Sequence, residues 1–221
     1  MQPNRVLVTY HRDLIIRFQD LTAKLLVSSA TTPLTSSFPN PIPHLSIDLT
    51  PVLAEPAIAT RTSPRFFDSA RIQSIELATE SLECGVVLKT GEIALYRPDH
   101  GETPSDLQAV LEDEELISLS HIDPQPGHKF RPAFMLMPGR GPVSAFALSD
   151  IGFLASAYTD GSFYIVDMRG PSVILRDTSG TKEQNKSLFH GHEANPVVSL
   201  TWTVTGTHTG TSTCLTFALR A

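Results

Sequence analysis

The side chains best suited to chemistry begin at His190-Gly191-His192, with Glu193 alongside and His208 further on. Two imidazoles at alternate positions share one face of an extended segment. A zinc-type centre needs three well-placed protein ligands, and neither Glu193 nor His208 stands at a spacing that supplies a convincing third. The competing reading is a polar loop carrying a structural histidine. Asp68, Asp160 and Asp167 are the carboxylates a hydrolase would draw on. Asp160 is better explained by the turn it forms with Gly161, and Asp167 by the end of its strand. The chain contains no G-x-S-x-G elbow, HExxH pair, P-loop or G-x-G-x-x-G. No catalytic, cofactor-binding or metal-ligating residue is therefore assigned, and no enzyme is expected.

Weaker signals remain. The acidic run Glu112, Asp113, Glu114 and Glu115 reads as a docking patch for a basic partner or as a solvated insertion. The stretch Thr178 to Ser187 reads as a phosphorylation-regulated loop or as a plain connector. Asn185-Lys186-Ser187 matches a glycosylation sequon, but the N-terminus lacks the apolar run of a signal peptide. Cys84 and Cys214 show no pairing logic, and Cys84 sits in an apolar run as a reduced core residue would. That suits a cytosolic protein. Nothing approaches the ~18 consecutive apolar residues of a membrane span.

The elements around these residues are strands. Of 221 residues, 41% are hydrophobic and 18% charged, with a net charge of -6. This is a globular composition without the basic stripe that nucleic acid requires. Arg5 to Tyr10, Leu14 to Phe18 and Lys24 to Ser29 are short apolar or β-branched runs with polar breaks. From Thr31 to Pro64 there are seven prolines, interrupted by one strand-like island, His44 to Leu53. Proline removes ladder donors, so this segment is expected to be a linker or crossover, with a long surface loop as the alternative.

An internal repeat follows. Ser74 to Tyr96 aligns without a gap on Ser144 to Val166, at an offset of 70. Each unit reads as strand, polar turn, strand, two-residue turn ending in Gly91 or Gly161, and a third strand. Fourth strands are expected at Glu115 to Ile122 and Ser172 to Arg176. The third strands, "IALY" and "FYIV", are apolar throughout, which predicts burial on both faces, as in stacked propeller blades. The offset exceeds the ~40–45 residues of a WD blade. The polar stretch Arg97 to Leu116 accounts for the surplus, and Ser105 with Gln108 matches the pattern of a capping box opening a short helix there. Val166 stands where a WD repeat has Trp. A third unit begins at Gly191-His192, a WD-like opening, and its Ser199 lies 55 residues after Ser144. The fold class expected is all-β: four-stranded antiparallel, WD-like propeller blades in an incomplete ring.

Gly141 to Ile174, with Asp150-Ile151-Gly152-Phe153 followed by Asp167-Met168-Arg169-Gly170-Pro171, resembles a segment of the lethal giant larvae/tomosyn family, most of all its fungal exocytosis regulators. Tyr10 to Ser29, Glu80 to Arg97 and Val197 to Val204 resemble further family segments in the right order. The resemblance implies two tandem seven-bladed propellers, of which this chain would be a middle piece. Residues 1–30 would be the last strands of a first propeller and 31–64 the linker. Residues 65–221 would hold the first blades of a second, at 72–122, 141–176 and, incomplete, 191–221. The resemblance further implies a non-enzymatic scaffold of polarised exocytosis without cofactors, cytoplasmic and peripheral at the plasma membrane. Its partners would be Q-SNAREs of the syntaxin and SNAP types and a Rab GTPase, not nucleic acid or a small-molecule substrate. No residue of the motif carries a SNARE contact. A generic propeller platform with unrelated partners is the second reading, and a metal-dependent hydrolase a distant third.

An open ring has an energetic consequence. A blade face left in water forfeits roughly 10 kcal/mol, from ~800 Å² of interface, about half apolar, at ~25 cal/mol/Å². That rivals the ~5–15 kcal/mol stability of a domain. The isolated chain is therefore expected to be poorly folded or to aggregate.

Overall fold

The structure, a computed structural model, describes residues 6–21, 40–56, 58, 72–78, 80–99, 113–124, 127–178, 197–207 and 210–219. The described chain is almost entirely antiparallel sheet. The first sheet has three strands, β1 (Val6–Tyr10), β2 (Ile15–Asp20) and β3 (Asn40–Asp48), in that order, followed by the one-turn helix α1 (Thr50–Leu53). The second has five, ordered β4 (Ile72–Leu77), β5 (Cys84–Leu88), β6 (Ile93–Pro98), β8 (Phe130–Leu136), β7 (Leu116–Ser118). The third has four, β9 (Val143–Leu148), β10 (Phe153–Tyr158), β11 (Phe163–Asp167) and β12 (Ser172–Asp177), adjacent in sequence order. The hairpin β13 (Val197–Thr207) and β14 (Gly210–Leu219) closes the described chain.

These sheets stack face to face in chain order, as consecutive propeller blades do. Ile16, Phe18 and Ile47 of the first sheet join Cys84, Val86, Leu88 and Tyr96 of the second in one core. Val87, Ile93, Leu95 and Phe134 from the other face of the second sheet join Leu154, Tyr158, Tyr164 and Val166 of the third. Ala145, Ala147, Ala155 and Ala157 then meet Leu200 and Trp202 of the terminal hairpin. Strand β6 is consequently buried at Ile93, Ala94, Leu95 and Tyr96 alike, as its unbroken apolar run predicts. In β11 the burial alternates: Tyr164 and Val166 are buried, and Phe163 and Ile165 half-buried. Val166, at the expected Trp position, is 0% exposed against Leu154.

Glycine sets the tight turns of the repeat. Gly91 and Gly161 have φ of 103° and 82°, a region closed to most side chains. The Asp160 carboxylate accepts the Ser162 N–H at 2.9 Å and so fixes its turn.

Three sequence expectations need correction. The fourth strand beside β6 is Phe130–Leu136, not Glu115 to Ile122; Leu116–Ser118 adds outside it as a fifth. Pro132 hid this strand, because proline is unfavourable inside a sheet. It is tolerated because the ladder shifts register between Leu95 and Tyr96, opposite that proline. The 72–122 unit therefore extends to Leu136.

The expected linker 31–64 is, over Asn40–Asp48, the third strand of the first sheet, with Ile16 opposite Ile47. As an edge strand it admits Pro41 and Pro43. The N-terminal strands thus pack directly on the second sheet through their shared core, with no linker over the described part between them.

The gapless repeat also hides a slip. Strands β5 and β6 match β10 and β11 at an offset of 70, with Cys84 opposite Tyr96 and Leu154 opposite Val166. Leu77 pairs with Cys84, but Leu148 pairs with Leu154, so β4 matches β9 at an offset of 71. The β4–β5 turn is one residue longer, and its polar residues absorb the difference unseen in the sequence.

Candidate functional site

The turns at one rim of the stacked sheets bring the most polar chemistry together. Strands β4 and β9 end there in the turns Ala78 to Glu83 and Ser149 to Gly152, and β6 and β11 end beside them. The two turns are tied to each other, since the Glu80 N–H donates to Asp150 Oδ1 at 3.0 Å. Glu83, only 8% exposed, accepts from Arg97 Nε at 2.9 Å. Arg97 also donates to the Met168 carbonyl of the next sheet, so one guanidinium bridges two sheets. Arg169 grips Asp167 through Nε and Nη2, at 3.1 and 3.0 Å, and lies 5.0 Å from the centre of the Phe153 ring. That contact holds the Asp167 carboxyl below its ordinary range. Phe153 in turn stacks on Trp202 of the terminal hairpin at 6.0 Å, and Trp202 Nε1 donates to the Ala147 carbonyl at 3.2 Å.

The backbone at this rim is unusual at one residue. Leu82 has φ 58°. Counted from the following strand it occupies the place of Gly152, whose φ is 94°. A residue with a β-carbon costs roughly 1–2 kcal/mol there, and glycine does not. The Leu82 side chain is 46% exposed and Ile151, on the neighbouring turn, 44%. Sequence reasoning passed over Leu82, although the offset of 70 sets it against Gly152.

Below the rim, Gln73, Ser74, Ile75 and Glu76 of β4 face Val143, Ser144, Ala145 and Phe146 of β9 across a groove of about 310 Å³. Gln73 Nε2 donates to the Val143 carbonyl at 2.6 Å, and Glu76 Oε1 accepts the Leu148 N–H at 3.0 Å. Partial burial pushes the Glu76 carboxyl up, against that hydrogen bond. Gln73 and Glu76 thus cover part of the free edge of β9.

The acidic run is structural in its described part. Asp113 and Glu115 reach Arg176 at 3.5 and 2.6 Å, and Asp113 Oδ2 caps the Val173 N–H at 2.7 Å. These carboxylates latch the second sheet to the outer strand of the third, which neither sequence reading anticipated. Asp160 and Asp167 serve their turns, as their positions suggest. Cys84 is a free, buried thiol, and burial pushes it up to about 12. Among the described residues no three His, Cys, Asp or Glu side chains converge as metal ligands. His190, Gly191, His192, Glu193, His208, Asp68, Glu112, Ser105, Gln108, the sequon and all of the 178–187 stretch except Thr178 lie outside the described residues. No described helix is long and apolar enough to cross a membrane.

The geometry is that of packed sheets in which the rim carboxylates of Glu83, Asp150 and Asp167 hold turns and neighbours. Residues 69–217, which take in the second and third sheets and almost all of the terminal hairpin, match the sequence model of the family described as lethal giant larvae (Lgl) like, C-terminal. The chain belongs to the lethal giant larvae family. It is 30% identical over 120 residues to the lethal(2) giant larvae protein homolog SRO77 of Saccharomyces cerevisiae, an alignment covering 48% of this chain and 12% of that relative. This lethal giant larvae chain therefore spans a small part of the length of the curated relative it matches.

Proposed function

We propose that this lethal giant larvae chain is part of a non-enzymatic propeller scaffold that regulates polarised exocytosis. It binds plasma-membrane Q-SNAREs of the syntaxin and SNAP types and a Rab GTPase, from the cytoplasm and peripherally at the plasma membrane. The match of residues 69–217 to the family carries this reading. The stacked sheets are compatible with it, because their faces are consumed by packing and their rims offer surfaces for partners. The mechanism is surface complementarity that sets how much SNARE is free to assemble. Pull-down of a plasma-membrane Q-SNARE by the full-length protein is the test. Recovery of the SNARE together with a vesicle Rab is the expected result. Failure to retain the SNARE, with some other protein recovered reproducibly, favours a propeller platform with unrelated partners.

A further inference from the structure

We propose that the rim built by the β4–β5 and β9–β10 turns docks a protein segment in which apolar side chains are flanked by Lys or Arg, with Leu82 and Ile151 as apolar contacts and Glu80 and Asp150 as counter-charges. Three non-glycine residues in the described chain have left-handed φ: Leu14, His44 and Leu82. Leu14 is partly buried and packs on the first core, which offsets its strain. Histidine is among the residues enriched in this region. Leu82 has neither compensation. It is exposed, and the equivalent turn of the next sheet uses Gly152 for the same conformation. A strained conformation retained where it adds nothing to the core points to a role at the surface.

The surroundings specify the partner. Ile151 stands on the adjoining turn, and the Glu80 to Asp150 hydrogen bond joins the two turns, so the apolar pair rides on one linked unit. Glu80 and Asp150 are exposed, and neither forms an ion pair among the described residues. Among the described residues, the cations that reach these turns are committed, Arg97 to Glu83 and Arg169 to Asp167. The patch is therefore apolar with uncompensated negative charge, in a chain of net charge -6. Apolar residues flanked by cations complement it, and an acidic segment is repelled. This inference is independent of the SNARE and Rab reading.

The test uses the full-length protein and a fluorescent model peptide of alternating Leu and Lys, with Leu/Glu and Ser/Lys peptides of equal length as controls. The Leu/Lys peptide is expected to bind, and Leu82→Gly and Ile151→Ser each to weaken it by about tenfold or more, as loss of a central anchor does. Glu80→Lys is expected to weaken it as well. Leu82→Gly is expected to melt no lower than the wild type, which separates lost docking from lost fold. Three results overturn the proposal: binding unchanged by Leu82→Gly, equal binding of the Leu/Lys and Leu/Glu peptides, or a lower melting temperature for Leu82→Gly. Self-association of the wild type that Leu82→Gly abolishes also overturns it, because the occupant is then a second copy of the chain.

Discussion

Gly85→Ala near the start of β5 tests the stacking of the second and third sheets directly. A β-carbon at Gly85 lies 2.4 Å from Phe146 Cζ, 2.8 Å from Cε1 and 3.3 Å from Leu148 Cδ1, all in the next sheet. Carbon atoms rest at about 3.5–4.0 Å, so the half-buried Phe146 ring, which lines the groove, must retreat by roughly 1 Å, and the buried Leu148 must give way behind it. Two effects compete. Alanine restricts the unfolded chain and stabilises by about 0.4–1 kcal/mol. Overpacking costs about 1–3 kcal/mol. The second wins, leaving a net loss of roughly 1–2 kcal/mol, or about 5- to 30-fold in the folded-to-unfolded ratio. In urea, with a slope near 2 kcal/mol/M, the midpoint of the full-length protein falls by roughly 0.5–1 M. Phe146→Leu removes the obstructing ring. Gly85→Ala made in that background is expected to be neutral or slightly stabilising, a coupling of about 1–2 kcal/mol between residues on different sheets. Additive effects of the two substitutions, or a neutral Gly85→Ala alone, refute the face-to-face stacking.

Three further outcomes follow from the same contacts. Burial raises the Glu76 carboxyl, so the folded chain holds more protons than the unfolded one between the ordinary carboxylate range and the raised value; stability therefore falls as pH rises through that window, and Glu76→Gln, which can still accept the Leu148 N–H, is expected to flatten this slope in melts taken from pH 4 upward. Cys84, buried and pushed up to about 12, is expected to resist iodoacetamide at pH 8 in the native protein and to react after unfolding, read by peptide mass spectrometry at that residue. Asp113→Ala removes the cap on Val173 and one contact to Arg176 and is expected to cost about 1 kcal/mol, whereas Arg176→Ala costs less, because its side chain is 41% exposed and its ion pairs are screened. Equal losses from Asp113→Ala and Arg176→Ala would contradict that ranking.

What was legible in the sequence is what local chemistry dictates. Asp160-Gly161 and Gly91 announce turns because positive φ excludes most other residues, and the apolar run of β6 announces a strand covered on both faces. What escaped depends on neighbours. Pro132 argues against a strand until the register shift opposite it is known, and Pro41 and Pro43 argue for a linker until β3 is seen to be an edge. The longer β4–β5 turn cannot be found by aligning polar residues that tolerate a slip. Asp113 and Glu115 looked solvated because their partners, Val173 and Arg176, lie about sixty residues away. The rim chemistry was half visible: the alignment set Leu82 on Gly152, but only the backbone angle gives that mismatch a meaning.

The stacking leaves the rims as the place where the proposed recognition can occur. A strand whose two faces are both consumed by neighbouring sheets has no side chain left to vary without repacking a core, and β5 is buried at all five positions. Turns carry no such debt. Two equivalent turns that differ by one residue in length, and by Leu82 against Gly152 at the same left-handed position, show that the chain varies where the stack leaves it free. A substitution that relaxes Leu82 to glycine makes the turns more alike. If it makes the fold no weaker and the rim no longer adhesive, the leucine is there for contact with a partner and not for the architecture.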